Sequence, residues 1–282
     1  MKKILILGHR SFVATGLYEL LKEKQLDVTC FSRGKEGREN DIVTGDVYQL
    51  PYNIHLRTTY DVVINFILIK NGSLQENIAY TEALIRFCKE RGVKHLVHLS
   101  SIMVYENGIR IIDEQTRIES DTLKRGYGQA KIEVDRYLTN LKDLPFSITL
   151  VRPGYVLAQD RPCPFVKRLP LGISLILGDK KSIQPMVRRE DIHTALLNMI
   201  NGDRFDPVFL FTPNESVTKY AYAKQLFGGM VVSLPRSFIL GAAGLLKRLG
   251  MIKADLYVRV EGMYIRSVYN SSFTQKRLNT KF

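Results

Sequence analysis

The sequence contains few cysteines, and they form no pattern. Cys30, Cys88 and Cys163 are the three cysteines among 282 residues, and they lie far apart without a C-x-x-C pair. An odd and scattered set argues against a disulfide framework and against a structural zinc site. It is typical of proteins in a reducing compartment.

Long apolar runs are also missing. Lys2 and Lys3 precede an apolar run, but it reaches only Leu7 before Gly8 and Arg10, which is too short for the core of a signal peptide. No apolar run approaches the roughly 18 residues that a membrane-spanning helix needs. We therefore expect a cytoplasmic protein.

Acidic side chains are scarce relative to basic ones. The chain has 41 Lys and Arg residues and 28 Asp and Glu residues, which gives a formal net charge of +13. Such an excess favours anionic partners, but the basic residues are spread along the chain and no nucleic-acid-binding motif accompanies them. We therefore expect phosphate-bearing small molecules as ligands and no nucleic acid, with an ordinary basic surface as the alternative.

Segments of strand length alternate with helical segments through the first half of the chain. We predict strands at 4–7, 27–32, 42–43, 60–66, 94–99 and 146–151, and helices that begin near residue 12 and cover roughly 73–91 and 126–141. This alternation predicts an α/β fold with a Rossmann-like, doubly wound parallel sheet.

Beyond Arg152 the alternation gives way to segments broken by Pro and Gly. We therefore divide the chain into a dinucleotide-binding domain, residues 1–152, which includes the catalytic residues proposed below, and a smaller lobe, residues 153–282. We expect the lobe mainly to bind substrate and the chain to cross back from it to the sheet.

The first strand runs into a turn that suits a dinucleotide pyrophosphate. Gly8 ends the strand, and Phe12 and Val13 begin a run at helical spacing. Backbone N–H groups and the helix dipole bind pyrophosphate at such a turn. In the pattern G-x-x-G-x-x-G, Ser11 and Ala14 replace the second and third glycines, and both are small enough for a close approach. An ordinary βα turn is the alternative.

The tip of the second strand indicates which dinucleotide binds. An acidic residue there binds the ribose 2′-hydroxyl of NAD, whereas an arginine accommodates the 2′-phosphate of NADP. The chain has Ser32 and Arg33 at this point, and Arg10 in the first turn could contact the same phosphate. We expect NADP(H), with NAD(H) as the other possibility; an exposed loop position is the alternative interpretation of Arg33.

Three side chains suited to proton transfer follow the fifth predicted strand. Ser100 and Ser101 lie at its carboxyl end, where ligands bind in such folds, and Tyr127 and Lys131 share one face of the next helix. An ammonium near a phenol lowers the phenol pKa, and a serine hydroxyl polarises a carbonyl oxygen. We predict that Ser101, Tyr127 and Lys131 are catalytic, although Tyr and Lys at this spacing are also common on helix surfaces.

Several motifs together resemble the extended short-chain dehydrogenase/reductases, the NAD(P)-dependent nucleotide-sugar epimerase/dehydratase family, over essentially the whole chain. They are GHRSFVATGL (8–17), GD (45–46), HLSSIMVY (98–105), DE (113–114), YGQAK (127–131), RPG (152–154) and VRREDI (187–192). The resemblance implies an enzyme and assigns the catalytic positions to Ser101, Tyr127 and Lys131.

The same resemblance implies further roles. Asp46 and Val47 would line the adenine pocket, Pro153 and Gly154 would adjoin the nicotinamide, and Asn77 matches an asparagine common on the fourth helix. Family members often dimerise through a four-helix bundle, so a homodimer is expected by resemblance. The glycine pattern departs from that of the family at the two substituted positions.

The residues after Ser101 narrow the reaction within that family. Dehydratases carry an Asp-Glu pair there, and the chain has Ile102 and Met103, so we do not expect dehydration. The opening GHR is similar to GDP-fucose synthase, which epimerises through a cysteine near the position of Met103, and a methionine cannot exchange protons. We predict NADP(H)-dependent reduction of a 4-keto nucleotide sugar, as in polysaccharide biosynthesis.

Three alternatives remain. The chain could be a nucleotide-sugar 4-epimerase with tightly bound NAD, a reductase of a non-sugar ketone, or a non-catalytic NAD(P)-binding sensor or scaffold on the same fold. The complete serine, tyrosine and lysine set argues against the last of these.

Other charged residues have less specific roles. Four cations of the second lobe could bind a substrate diphosphate, and each could equally be an ordinary surface charge: Arg161, Lys167, Arg168 and Arg188.

We expect Asp191 to cap a helix. His95 and His98 lie at i, i+3 on one strand and face opposite sides, so we interpret them as structural and predict no metal site.

The segment FILGAAGLL at 238–246 is followed by Lys247 and Arg248. It could be a membrane-surface helix with a basic flank, or it could pack against the substrate lobe or a partner subunit. We expect packing and keep peripheral contact with anionic lipid as the alternative.

Overall fold

The structure is a computed structural model that describes residues 1–56, 58–69, 72–105, 111–118, 126–158, 165–176, 178–183, 185–214, 217–251 and 267–282. Two residues discussed above, Arg161 and Cys163, lie outside these ranges.

Fifteen strands are defined within the described residues. In chain order they are β1 (Lys3–Leu7), β2 (Asp27–Arg33), β3 (Gly37–Glu39), β4 (Ile42–Gly45), β5 (Val62–Asn65), β6 (His95–Leu99), β7 (Ile111–Ile112), β8 (Ser147–Pro153), β9 (Tyr155–Leu157), β10 (Val166–Arg168), β11 (Ile173–Ile176), β12 (Met186–Arg188), β13 (Val208–Phe211), β14 (Met230–Ser233) and β15 (Val268–Tyr269).

Seven α-helices are defined in the same ranges: α1 (Leu17–Glu23), α2 (Leu74–Glu90), α3 (Tyr127–Asn140), α4 (Arg189–Asn201), α5 (Lys219–Phe227), α6 (Arg236–Arg248) and α7 (Ser272–Leu278). Short 3₁₀ helices cover Val47–Tyr52, Ile54–Leu56, Ile102–Val104 and Pro170–Gly172.

Eight strands form the central sheet in the order β13-β8-β6-β5-β1-β2-β4-β3. Every neighbouring pair is parallel except β3 and β4, which form an antiparallel edge. The predicted doubly wound parallel sheet is confirmed. The edge strand β13 comes from the second half of the chain, and the division of the chain at residue 152 stays a prediction.

The central strands are apolar throughout because both faces of the sheet are covered. On β1, Ile4 and Ile6 pack into one core with residues of α4, whereas Leu5 and Leu7 pack into a second core with residues of α2. Alternate side chains of a strand point to opposite faces, so a strand buried on both sides must be a continuous apolar run.

The first helix begins later than the sequence predicts. Phe12 and Val13 lie in a series of turns, in which the Thr15 N–H donates to the Ser11 carbonyl at 3.0 Å, and α1 starts only at Leu17. Gly16 has φ 92°, in the left-handed region that interrupts a right-handed helix. The prediction of a helix from residue 12 is therefore wrong.

The second helix agrees with the prediction. Ser73 caps α2 through a capping box with Glu76, and Gly92 follows its end at φ 58°. Asn77, which is buried, accepts a hydrogen bond from the Ile69 N–H at 3.0 Å and donates to its carbonyl at 3.1 Å. It thereby holds Ile69, in the segment after β5, against the first turn of α2.

A smaller three-stranded sheet lies in the second half of the chain, in the order β10-β11-β14. Helix α5 packs against β11 and β14, and α6 follows β14 directly. Among the described residues, no helix has the length and apolar character that would span a membrane.

Candidate active site

The predicted site residues gather at one edge of the central sheet. Gly8 follows β1, Arg33 ends β2, Ser100 follows β6 and Gly154 follows β8. Since these strands are parallel members of one sheet, in the order β8-β6-β5-β1-β2, their carboxyl ends lie along the same edge. Open α/β sheets bind ligands at this edge.

The turn after β1 requires its glycine. Gly8 has φ +80°, and a Cβ there would lie 2.8 Å from the Ile67 side chain. Its N–H donates to the Phe31 carbonyl at 2.8 Å, which joins the turn to β2. Nearby, the Ser11 hydroxyl oxygen is buried and has no hydrogen-bond partner among the described residues. A buried hydroxyl without a partner is favourable only when a ligand or water completes it.

Helix α4 holds this turn from the second half of the chain. The His193 Nε2 atom lies 2.7 Å from the Val13 carbonyl oxygen. The Arg189 guanidinium donates to the Phe12 carbonyl at 3.4 Å and lies 5.4 Å from the centre of the Phe12 ring. These contacts tie the Phe12 and Val13 carbonyls of the turn to α4, and no local pattern of residues predicts them.

Two arginines after β1 and at the end of β2 have no acidic partner among the described residues. The Ser32 hydroxyl is buried and lacks a partner among the described residues, while Arg33 is exposed. Arg10 and Arg33 form no hydrogen bond or ion pair within the described part of the chain. The nearby Glu36 carboxylate instead accepts from the Ile54 N–H at 3.3 Å. This arrangement fits an anionic group.

The residues expected at the adenine pocket follow β4. The Asp46 carboxylate accepts a hydrogen bond from the Tyr48 N–H at 2.9 Å and so begins the 3₁₀ helix at Val47–Tyr52. Val47 is buried. The capping contact gives Asp46 a structural role in addition to the ligand contact that the resemblance implies, and the latter stays a prediction.

Tyr127 and Lys131 lie on one face of α3 as the spacing predicts. Tyr127 is the first residue of the helix and is 38% exposed, whereas Lys131 is buried. The Lys131 ammonium donates to the Leu99 carbonyl and lies 6.0 Å from the centre of the Tyr127 ring. The helix thus carries a partly exposed phenol at its first residue and a buried cation one turn later on the same face.

Ser101 begins the 3₁₀ helix at Ile102–Val104. Its hydroxyl oxygen accepts from the Met103 N–H at 3.2 Å, which leaves the hydroxyl hydrogen available for another acceptor. Met103 is 50% exposed. Ser100 behaves differently, because its hydroxyl donates to the Asp135 carboxylate at 2.7 Å. The structure therefore gives Ser100 a partner inside the protein, and a cofactor contact through its side chain stays a prediction.

Burial lowers the pKa of Lys131 to about 8, and the nearby Asp135 carboxylate opposes that shift. Removing an ammonium from water disfavours its charged form, and a nearby anion favours it. The side chain is consequently still a cation at pH 7 but lies close to the point of losing its proton.

Sequence reasoning missed the buried ion pair behind Lys131. Asp135 is 0% exposed and Arg152 is 3% exposed, and their side chains are 3.1 Å apart. The Arg152 guanidinium also donates to the Tyr105 hydroxyl at 2.9 Å. Burial raises the pKa of Asp135, while the Arg152 charge opposes that rise. The sequence pattern that could have pointed to this ion pair is the i, i+4 spacing of Lys131 and Asp135, which places both on one face of the helix.

The two strand histidines have structural partners. The His98 Nδ1 atom lies 3.0 Å from the Asn65 amide nitrogen, and the His95 Nδ1 atom lies 2.6 Å from the Ser147 hydroxyl. His95 also stacks on Phe205 at 3.8 Å between ring centres. Burial lowers the pKa of both histidines. Within the described residues, no group of three His, Cys, Asp or Glu side chains is placed to hold a metal ion.

The candidate substrate cations are less favourably placed. Arg188 donates twice to the Asp191 carboxylate, at 2.9 Å and 3.0 Å. Asp191 is the third residue of α4 and not its cap, so the capping prediction is wrong. Lys167 and Arg168 lie on β10, and the Arg168 guanidinium is 5.4 Å from the centre of the Phe227 ring.

Gly154 has a packing requirement of its own. A Cβ on this residue would lie 2.2 Å from the Pro185 carbonyl oxygen, because β9 and β12 begin in close contact there. Pro153 is buried at the end of β8 and pairs with Phe211 of β13. Their predicted contact with a nicotinamide stays a prediction.

Comparison with known proteins places the chain among dinucleotide-dependent enzymes. A family model described as the NAD dependent epimerase/dehydratase family matches residues 4–186. A comparison with curated protein sequences gives no significant match.

Solved structures share the fold. A human epimerase family protein with NADPH has a TM-score of 0.73 at 17% identity, with 99% of this chain and 94% of that one covered. A UDP-glucuronic acid 4-epimerase from Bacillus cereus, in complex with UDP-glucuronic acid and NAD, has a TM-score of 0.69 at 16% identity, with 99% and 93% covered. A dTDP-glucose 4,6-dehydratase from Bacillus anthracis with NAD has a TM-score of 0.68 at 16% identity, with 100% and 91% covered. At these identities the likeness shows the fold.

Proposed function

The chain belongs to the NAD-dependent epimerase/dehydratase family, and we propose that it catalyses the NADP(H)-dependent reduction of a 4-keto nucleotide sugar. The observation that carries the proposal is the pairing of a partly exposed Tyr127 with a buried Lys131 on α3. Next to Ser101, the positions of Ile102 and Met103 hold neither a carboxylate nor a thiol. The site therefore has a proton donor but lacks the second acid or base that dehydration requires.

Tyr127, Lys131 and Ser101 would have different roles in proton transfer to the keto oxygen. A nicotinamide cofactor, when bound, would supply the hydride. Tyr127 donates its phenolic proton to the developing alkoxide, and the Lys131 ammonium stabilises the phenolate that results. The Ser101 hydroxyl, whose oxygen already accepts from the Met103 N–H, would donate a hydrogen bond to the keto oxygen and polarise the carbonyl while keeping its own proton.

The residues at the sheet edge fit a dinucleotide phosphate. Gly8 permits close approach of the backbone, and the buried Ser11 and Ser32 hydroxyls lack partners among the described residues. Arg10 and Arg33 would bind a 2′-phosphate, since neither is paired with a carboxylate among the described residues. This charge pattern favours NADP(H) over NAD(H).

A nucleotide-sugar 4-epimerase is the second candidate. The neighbouring structures include a 4-epimerase with NAD as well as an epimerase family protein with NADPH, so the fold accommodates both cofactors. The epimerase would use the same Tyr127 first as a base and then as an acid. The cations at Arg10 and Arg33 favour the reductase.

Isotope transfer separates the two candidates. The purified chain would be incubated with NADPH deuterated on the transferred position and, in separate reactions, with nucleotide 4-keto sugars, with nucleotide sugars that carry a 4-hydroxyl, and with non-sugar ketones. The reductase predicts one deuterium at C4 of the product and one NADP⁺ for each product molecule. An epimerase predicts interconversion of nucleotide-sugar C4 epimers with no added cofactor consumed and no label in the product. Turnover of non-sugar ketones alone would contradict the proposed substrate class.

A further inference from the structure

One part of the molecule combines basic charge with exposed apolar surface. We call the described residues of 165–183 and 217–251, which include β10, β11, α5, β14 and α6, the basic lobe. It contains one acidic side chain, Asp179, and nine basic ones: Lys167, Arg168, Lys180, Lys181, Lys219, Lys224, Arg236, Lys247 and Arg248. All nine except Lys219 are exposed. The local excess of cations is far greater than that of the whole chain.

The outer face of α6 is apolar and exposed. Phe238, Leu245 and Leu249, which immediately follows the helix, are 64%, 58% and 64% exposed. Their spacing, with the exposed Ala242 between them, places them in one row along the helix. Ala243 is the only buried residue of α6. We call Phe238, Ala242, Leu245 and Leu249 the apolar stripe.

Apolar side chains are also exposed on β14, the strand that precedes α6 in the chain. On β14, Met230 and Val232 are 57% and 37% exposed, whereas the alternate residues Val231 and Ser233 are partly buried. A Cβ on Gly229 would lie 2.5 Å from the Gly172 carbonyl oxygen, so the 3₁₀ helix Pro170–Gly172 lies beside the start of β14. Leu171 of this 3₁₀ helix is 96% exposed. Large apolar side chains are therefore exposed on both the helix and the sheet edge.

Cations surround a cleft at the start of α6. Lys180, Lys181 and Arg236 line it together with Asp179 and with Ser233 to Pro235. All three cations are exposed, and α6 begins at Arg236. Three cations and one acid around an open cleft suit a phosphate group.

We propose that the basic lobe binds the surface of an anionic lipid bilayer, with the apolar stripe of α6 inserted at the interface and Lys180, Lys181 and Arg236 contacting lipid phosphates. A helix with an exposed apolar face and basic flanks lies in the plane of such an interface. Anionic headgroups attract the nearby lysines and arginines, which adds to the burial of apolar surface.

A second copy of the chain and a nucleic acid fit this surface less well than a bilayer does. A second copy that docked on the same lobe would bring an equal set of cations against the first, which opposes association. A nucleic acid would satisfy the cations but would leave the apolar stripe in water. A bilayer with anionic headgroups satisfies both features.

Vesicle flotation of the full chain tests the proposal. The chain would be mixed with vesicles of phosphatidylcholine alone and with vesicles that contain about 30% phosphatidylglycerol, both at low and at high salt. We expect binding to the anionic vesicles, no binding to the neutral ones, and weakening by salt.

Two variants separate the apolar and the electrostatic contributions. Leu245→Asp should weaken vesicle binding about 10- to 100-fold, the value of burying one leucine side chain. The triple variant Lys180→Gln, Lys181→Gln, Arg236→Gln should weaken it about 100-fold, since each basic side chain near a membrane surface contributes about fivefold. Ile54→Asp, an exposed aliphatic position outside the basic lobe at 53% exposure, is the matched control and should leave binding unchanged.

Circular dichroism of each variant would establish that the fold is retained, which the exposure of the changed side chains leads us to expect. The proposal is overturned if the wild-type chain does not float with anionic vesicles. It is also overturned if Ile54→Asp reduces binding as much as Leu245→Asp does. A dimer that Leu245→Asp dissociates, without vesicle binding by the wild type, would instead assign the stripe to a second copy of the chain.

Discussion

Helices α3 and α6 differ in where their charged side chains lie. On α3, Lys131 and Asp135 are buried, and each is paired inside the protein, with the Leu99 carbonyl and with Arg152. On α6, the basic side chains at both ends are exposed, and so is much of the apolar surface between them. Burying a charge is costly unless it is paired. The buried Lys131 and Asp135 on α3 therefore indicate a catalytic site. The exposed charge and apolar surface on α6 indicate recognition of something outside the chain.

The largest expected effect concerns the exposed end of α3. Tyr127→Phe removes the proton donor, so we expect turnover to fall about 100- to 10,000-fold, the usual contribution of general acid catalysis. Cofactor affinity and unfolding free energy should change little, because the ring remains and the hydroxyl lies on a partly exposed side chain. Steady-state kinetics, calorimetry and urea unfolding would measure these quantities. Retained turnover would contradict the assignment of Tyr127.

The next largest effect concerns the buried ion pair of α3. Asp135→Asn leaves the Arg152 charge buried without its anion, so we expect a loss of about 3 to 5 kcal/mol in unfolding free energy. The double variant Asp135→Leu, Arg152→Met removes both charges and should recover much of that loss. Urea unfolding of the three chains would measure the differences. Equal stability of wild type and Asp135→Asn would show that the pair is not held as the structure describes.

Asp135→Asn should also alter the pH dependence of the reaction. The Asp135 carboxylate favours the Lys131 ammonium, so its removal should lower the pKa of Lys131 below about 8. The alkaline limit of turnover should then move to lower pH. A purely structural role for Asp135 would reduce stability and leave that limit in place.

Lys131 itself provides a smaller, pH-dependent effect. Burial lowers its pKa from 10.5 to about 8, so between these values the unfolded chain holds a proton that the folded chain has released. Stability of the wild type should therefore rise with pH across this interval, by up to about 1.4 kcal/mol per pH unit. Lys131→Met lacks this rise. Urea unfolding of both chains at pH 8 and pH 10 would measure this rise in unfolding free energy. An equal change in unfolding free energy between the two pH values in both chains would contradict the buried position of Lys131.

The smallest effect is expected on α6. Leu245→Asp should change the unfolding free energy by no more than about 0.5 kcal/mol, as is usual for exposed sites. Leu84→Ala on α2, where the side chain is 0% exposed, should cost about 2 to 5 kcal/mol. Urea unfolding of the two variants compares the regions directly. A large loss from Leu245→Asp would mean that the apolar stripe is covered within the chain.

The sequence predicted the main architecture because strong local patterns specify it. The apolar strand 4–7 and helix α2, with its capping box at Ser73, are fixed by periodicity and capping chemistry that operate over a few residues. The Tyr127 and Lys131 pair was found for the same reason, since the spacing within one helix determines a shared face.

The missed features depend on contacts between distant parts of the chain. The late start of α1 reflects Gly16, while the turn before it is held by His193 and Arg189, about 180 positions away in sequence. The partner of Asp135 is Arg152, on a different element, and it could not be identified without the order of the strands. Asp191 pairs with Arg188 where we expected a cap.

Calorimetric titration of NADPH and NADH into the wild-type chain and into Arg33→Ala would show whether the sheet edge binds NADP(H) through Arg33. We predict that the wild type binds NADPH reversibly and at least about tenfold more tightly than NADH, the value of one good charge-assisted phosphate contact. Arg33→Ala should lose most of that preference and keep its affinity for NADH. A preference for NADH, tightly retained NAD in the purified protein, or binding of neither dinucleotide would contradict the account.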